Sequence, residues 1–296
     1  MFHRTHEEGS AMPTFDTPEP IVADIDVFVG QVHIHATDRA DTVVEVRPSD
    51  PSNEACVQTA ERTVVEFSGG RVRVRSPRPK GLGYLRSWRG SIEVTVELPT
   101  GSGVEAGVAA GGMAGFVATG VLGRTVLHSS NGDLRLEETG PLEARTSIGE
   151  ISVDRVTGPV EVTGSVAAIR IGTVDGPGTV KNSTGAISLG EVTGDLQLKT
   201  GTGDITVDRV LAGLTAKSAH GRIRIGAAVN GNVQVEGGHG KVGIGIPEGT
   251  AALLDLHSKN GVVRNTLTAA DGPETTDAVV EVHAHTNWGD IDVHRS

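Results

Sequence analysis

His220 and His239 each sit one residue before a glycine, in the same slot of two successive repeats of the chain. If adjacent repeats stack as neighbouring strands, the two rings lie about 5 Å apart and can reach one metal ion. His257 or Glu236 would supply a third ligand. The plainer reading is two exposed turn histidines in a chain that holds 11. No metal is therefore assigned, and His220 and His239 are kept as a candidate pair only. A second slot holds Arg145, Lys181, Lys199 and Lys217, with Thr163 interrupting the series. Stacked cations of this kind suit an anion or polysaccharide groove. They are also how sheet surfaces stay soluble and discourage edge pairing.

The most distinctive local segment runs from Arg75 to Gly90 and carries Arg78, Lys80, Tyr84, Arg86, Trp88 and Arg89. It concentrates positive charge in an acidic chain and holds the one tyrosine and one of two tryptophans. Its prolines and glycines make it a loop between strands. Rigid rings among guanidiniums suit an anionic or protein partner. The alternative is a loop folded over one end of the structure, with Leu85 and Trp88 sealing the core.

No catalytic set emerges. The chain lacks a Gly-x-Ser-x-Gly elbow, a phosphate loop and a His-Glu-x-x-His pair. Asp290 and Asp292 alternate on a strand, but such pairs are too common to signal a glycosidase. The slot after the repeat glycine holds Asp133, Glu150 and Asp204, yet also Ala168, Ala186, Arg222 and Lys241. That irregularity excludes a calcium ladder, which needs an acid in every half-turn. No catalytic residue and no cofactor is assigned.

These residues are positioned by a repeat of about eighteen residues: glycine, any residue, aliphatic, any residue, aliphatic. It recurs at Gly132, Gly149, Gly185, Gly203, Gly221 and Gly240, with Ala167 in the missing register. Leu134, Ile151, Ile169, Ile187, Ile205, Ile223 and Val242 form one aliphatic column. Val156, Val174, Val192, Val210 and Val229 form another, and Leu142, Val160, Gly178, Leu196, Leu214 and Val233 a third. Within a repeat the apolar positions fall at offsets of roughly 0, 2, 5, 9 and 11. Two period-two pairs per repeat predict two short strands with one face inward, and a fixed repeat of this length predicts a solenoid. The fold class is all-β, a single-stranded β-solenoid of roughly 18-residue coils with irregular β-rich caps.

Composition agrees. The 296 residues include 41 glycines and only 3% aromatics, which suits short strands and tight turns and suits long helices badly. A net charge of −11 argues against nucleic acid as a partner. One cysteine, Cys56, excludes an internal disulfide. The glycine- and alanine-rich stretch 103–123 carries Glu105 and keeps step with the repeats, so no membrane span is expected. The polar start has no signal-like apolar region, and a cytoplasmic location is the expectation.

The expected organisation is a tail or mis-assigned start over 1–11, a β-rich capping section over 12–100, regular coils over 101–245 and closing coils over 246–296. Leu98-Pro99-Thr-Gly101-Ser102 is echoed by Ile246-Pro247-Glu-Gly249-Thr250, as two matching strand ends at the borders of the regular array.

Ser147-Ile-Gly149-Glu-Ile151-Ser-Val153, Thr202-Gly203-Asp-Ile205-Thr-Val207 and Asn287-Trp-Gly289-Asp-Ile291-Asp-Val293 carry a resemblance to a known family. Together with Val27–Ile34 and the Leu98-Pro99 strand end, they resemble the bacterial putative-adhesin β-strand-repeat family, also called Toastrack-like. The resemblance implies a β-solenoid without a catalytic motif, adhesin-like, with links to envelope or stress functions. The function expected is a non-enzymatic scaffold or interaction module for a protein or polysaccharide partner. A self-assembling, cytoskeleton-like β-helix and a carbohydrate-active β-helix enzyme are the alternatives.

Overall fold

The computed structural model describes residues 12–78, 90–108, 111–268 and 278–296. The chain folds into two compact units, Met1–Asp133 and Leu134–Ser296.

The second unit is a stack of parallel rungs. Leu142–Val156 pairs with Val160–Val174 over its whole length, and each later rung adds two strands in register: Gly178–Thr184 with Ile187–Val192, Leu196–Thr202 with Ile205–Val210, and Leu214–His220 with Ile223–Ala228. Burial alternates along the short strands of the regular rungs, as the period-two pairs predict, because successive side chains point to opposite faces. Ile151, Ile169, Ile187, Ile205 and Ile223 stand opposite one another and are 0% exposed. Each such side chain contributes roughly 1.5–3 kcal/mol by leaving water, so this column is a main support of the stack.

One expected column is corrected. Val210 pairs with Ala228, not with Val229, and Ala228 is fully buried. Val229 instead donates its N–H to the Val210 carbonyl at 2.9 Å. The smaller side chain keeps the eighteen-residue offset, so a column drawn through the nearest valine is off by one.

At the far end the rungs leave chain order. Gly231–His239 pairs with Ala278–Trp288, and Ala278–Trp288 pairs with Thr250–Asn260. Val242–Ile246 likewise pairs with Ile291–Arg295, which pairs in turn with Val263–Asn265. The last coil in the sequence is thus the second-to-last rung, and the coil 250–265 is the outermost one.

The first unit repeats this device. Val22–Asp26 lies between Arg71–Arg75 and Gly103–Gly107, and Val29–Thr37 lies between Ile92–Pro99 and Met113–Leu122, all parallel. The earliest coil is again an inner rung. Antiparallel strands close the outside: Asp41–Pro48 on Ile92–Pro99, Thr14–Asp16 on Asp41–Pro48, and Val64–Ser68 on Arg71–Arg75. One helix among the described residues, Glu54–Glu61, departs from the all-β expectation. Asn53 starts it by accepting the Ala55 N–H at 3.0 Å, and its Cys56 is buried.

The two proline-marked borders are the skip points. Pro99 accepts the Ser102 N–H at 3.2 Å and Pro247 accepts the Thr250 N–H at 3.3 Å. Gly101 and Gly249 occupy the third position of these turns with φ of +80° and +74°, a conformation that favours glycine. At each turn the chain steps past one rung height and leaves room for the inserted coil.

Candidate functional site

The corner before each first strand is stitched in both directions. The Gly203 N–H donates to the His220 carbonyl at 2.8 Å, and the Gly203 carbonyl accepts the Ser218 hydroxyl at 3.1 Å. Thr200 donates to the Gly185 carbonyl at 3.4 Å and Ser258 to that of Gly289 at 2.8 Å. Asn182 reaches both Ala167 and Gly185, at 2.7 and 3.1 Å. These donors lie three residues before a corner glycine and face inward. Sequence reasoning registered only the neighbouring Ser/Thr-x-Gly; the signal for the buried column was the polar residue one step earlier. Two buried polar atoms in the described residues lack a partner, Asn182 Oδ1 and Thr286 Oγ1. On one side each stands opposite a glycine, Gly164 and Gly237, with no side chain there to reach it.

The repeat's acids serve the same architecture. Asp204 accepts the Arg222 N–H at 2.7 Å, Asp290 that of Val262 at 3.0 Å, and Asp195 that of Gly213 at 2.9 Å. Other carboxylates hold cations on the surface: Asp175 with Arg155 at 2.5 Å, Glu161 with Arg145 at 3.1 Å, and Glu150 with Arg170. In the first unit Arg71 holds Glu105 at 2.6 Å, and that hydrogen bond keeps the Glu105 carboxyl below the usual carboxylate range.

His220 and His239 are neighbours in register, with ring centroids 5.0 Å apart and planes 7° from parallel. Trp288 continues the pile at 6.3 Å. Rings stacked face to face present their nitrogens side by side and not toward a common point. His257 and Glu236 are elsewhere: His257 stacks on His285 at 5.1 Å, and Glu236 binds Lys217 at 2.7 Å. Among the described residues no group of three or more His, Cys, Asp or Glu side chains is placed to hold a metal ion.

The cations of the second slot lie along adjoining strands. Lys181, Lys199 and Lys217 are direct partners on three adjoining strands, with Thr163 between Lys181 and Arg145. Arg145 is divided between Glu143 and Glu161, both at 3.1 Å. Alongside runs a trough of about 660 Å³ that crosses four rungs and is lined by Thr179, Gln197, Thr215 and Gln234. Gly178, Gly213 and Gly231 also line it, so it exists where side chains are missing.

Of the loop residues, Arg78 is seen to bind Asp26, a carboxylate it shares with Arg75. Lys80, Tyr84, Arg86, Trp88 and Arg89 lie outside the described residues.

A histidine-rich patch escaped the sequence reading. Glu281, His283 and His285 alternate outward on one strand, beside Asp255 and His257 on the next. His283 contacts Glu281 at 3.0 Å and Asp255 at 3.4 Å, and these hydrogen bonds, Glu281 first, raise its pKa above 6.5. Its folded pKa being the higher one, the pair stabilises the fold below about pH 6.5 and stops doing so as pH rises through the folded value. An NMR titration should place the His283 midpoint above 6.5, and Glu281→Gln should lower it. A midpoint unmoved by that substitution would contradict the assignment.

No helix among the described residues is long and apolar enough to cross a membrane. No curated protein matches the chain significantly. Among solved structures it is similar to "a putative adhesin from Parabacteroides merdae", at 13% identity and a TM-score of 0.39 over 95% of both chains. It is also similar to a "putative lipid binding protein from Parabacteroides distasonis", at 10% identity and a TM-score of 0.42 over 96% of both. A "putative cell adhesion protein from Clostridium sporogenes" covers 97% of this chain and 99% of its own, at 12% identity and a TM-score of 0.22. The family model described as Toastrack DUF4097 matches residues 24–294, from the first inserted rung to the last, and the chain belongs to that family.

Proposed function

We propose that the chain is a non-enzymatic, adhesin-like interaction module that works by display. A rigid stack holds outward columns of side chains at rung spacing and presents them to a partner. The observation that carries this reading is how the acids are used. Asp195, Asp204 and Asp290 accept backbone N–H groups, and the surface carboxylates Glu150, Glu161 and Asp175 are engaged by arginines. A hydrolytic site needs carboxylates free to give and take protons. What the face offers instead is repetition.

The test uses the whole chain immobilised and exposed to purified cell-envelope fractions. Retention of an envelope polymer with its chain length unchanged is expected. Release of new reducing ends would overturn the non-enzymatic reading, and absence of retention from every fraction would overturn the module itself.

A second reading, end-to-end self-association, is favoured by one observation. Thr250–Asn260 pairs on one side only among the described residues and leaves its inward-facing Leu254 and Leu256 only half-buried. Such an edge is a template for another strand. Sedimentation velocity at rising concentration should then show growing species; a strict monomer removes this reading.

A further inference from the structure

The column Lys181, Lys199, Lys217 and the trough beside it have a common direction, along the stacking axis. We propose that together they bind one extended strand of a carboxylated polysaccharide. This rests on the display reading and names its ligand.

Four properties of the strip point to that chemistry. The first is period. Thr179, Gln197, Thr215 and Gln234 stand opposite one another on successive strands, so the trough repeats its hydrogen-bonding groups once per rung. Rungs are about 4.8 Å apart, comparable to the length of one sugar ring along an extended glycan. A repeating surface gains most from a repeating ligand, since each further contact is made within an already bound chain.

The second is functional-group type. Hydroxyls and amides both donate and accept, which is what sugar hydroxyls require. The strip carries no aromatic ring and no large exposed aliphatic among Thr179–Ser183, Gln197–Gly201 and Thr215–Ala219. Protein partners are held chiefly by such anchors, and single-stranded nucleic acids stack their bases on rings. A hydrophilic polymer needs neither.

The third is charge. Lys181 and Lys199 are exposed and make no ion pair among the described residues, whereas Lys217 is partly held by Glu236 at 2.7 Å. Like charges aligned on adjoining strands repel, and an anion laid across them removes that repulsion. Three successive rungs carry one cation each, with Glu236 in the column position of the fourth, which matches a polymer bearing about one carboxylate per sugar over that length. The one carboxylate in the trough lining, Asp195, already accepts the Gly213 N–H at 2.9 Å.

The fourth is shape. The trough is shallow and continuous over four rungs, with glycines in its lining at the strand starts. A single chain can lie in it lengthwise, with carboxylates turned toward the lysines two residues further along each strand, about 7 Å away.

The experiment is affinity electrophoresis of the whole chain in native gels containing polygalacturonate, with dextran and oligodeoxythymidylate gels as comparisons. The wild type should be retarded by polygalacturonate alone. Added salt should release it, because exposed charge contacts are screened. Lys181→Gln/Lys199→Gln should weaken retardation about tenfold, with thermal unfolding unchanged. In solution, digalacturonate should compete at least tenfold less well per sugar than an oligomer long enough to span four rungs. Equal retardation of wild type and double variant would overturn the proposal, as would equal binding to dextran or to the oligonucleotide. Absence of polygalacturonate retardation would overturn it too, while retention of another envelope polymer would leave the display reading standing.

Discussion

Gly203→Ala is expected to cost about 3 kcal/mol or more of unfolding free energy, a large loss for a single methyl. Gly203 has φ +149°, and a Cβ there would lie 2.2 Å from the Gly185 carbonyl oxygen of the adjoining rung. That oxygen also accepts the Thr200 hydroxyl, so it cannot retreat without breaking a corner bond. The methyl must therefore push the adjoining rungs apart or twist the corner, and either move propagates to the Ile187–Ile205 contact. Gly243→Ala is the matched control. A Cβ at Gly243 meets nothing within 4 Å. This substitution should stay within about 1 kcal/mol of the wild type and on the stabilising side, because alanine restricts the unfolded chain. Denaturant midpoints of the two variants measure the contrast. Equal midpoints would mean that the corner glycines are not required by their backbone geometry.

Removing residues 278–296 should unfold the C-terminal rungs and not merely shorten the stack. In a solenoid built in chain order, the last coil is an end rung and its loss uncovers one neighbour. Here Ala278–Trp288 and Ile291–Arg295 separate two rungs that do not pair with each other. Their inward Val280, Val282, Ala284, Ile291 and Val293 are at most 2% exposed. Losing that burial costs on the order of 10 kcal/mol as an upper estimate, comparable to the whole stability of a domain. Limited proteolysis should cut the truncated chain within residues 231–265 while sparing the regular rungs. A truncated chain as resistant there as the intact one would refute the inserted-rung account.

The regular part of the fold was legible because each rung repeats the same local demand. A glycine marks the corner, a period-two aliphatic pair follows, and a second pair comes nine residues later. Ala228 shows the limit: column membership is set by offset, and a small residue in register carries less signal than a valine beside it. The inner corner column, Asn182, Thr200 and Ser218, was hidden because polar residues near glycines read as surface turns. The order of the end rungs was less legible still. Strand pairing between residues 22–37 and 71–122 is a three-dimensional outcome, and its trace in the sequence is the pair of proline-glycine turns alone. For the surface, the repeat spacing brings Lys181, Lys199 and Lys217, and His220 and His239, opposite one another on adjoining strands. It could not foresee that His220 and His239 would stack flat and go on to Trp288, because ring orientation is decided by packing.

The inserted rungs also determine how the protein bears load. A strand at the edge of a sheet peels away one hydrogen bond at a time, which takes little force. Ala278–Trp288 is flanked on both sides by parallel strands, and Val29–Thr37 is held in the same way. Tension applied at residue 295 along the strand direction loads Ile291–Arg295, which pairs with Val242–Ile246 along its length and with Val263–Asn265 over residues 291–293. A pull on residue 22 meets the same arrangement at Val22–Asp26, between Arg71–Arg75 and Gly103–Gly107. Resistance to such a pull is set by the barrier to unfolding and not by equilibrium stability. Each unit therefore meets tension at a strand held by two ladders.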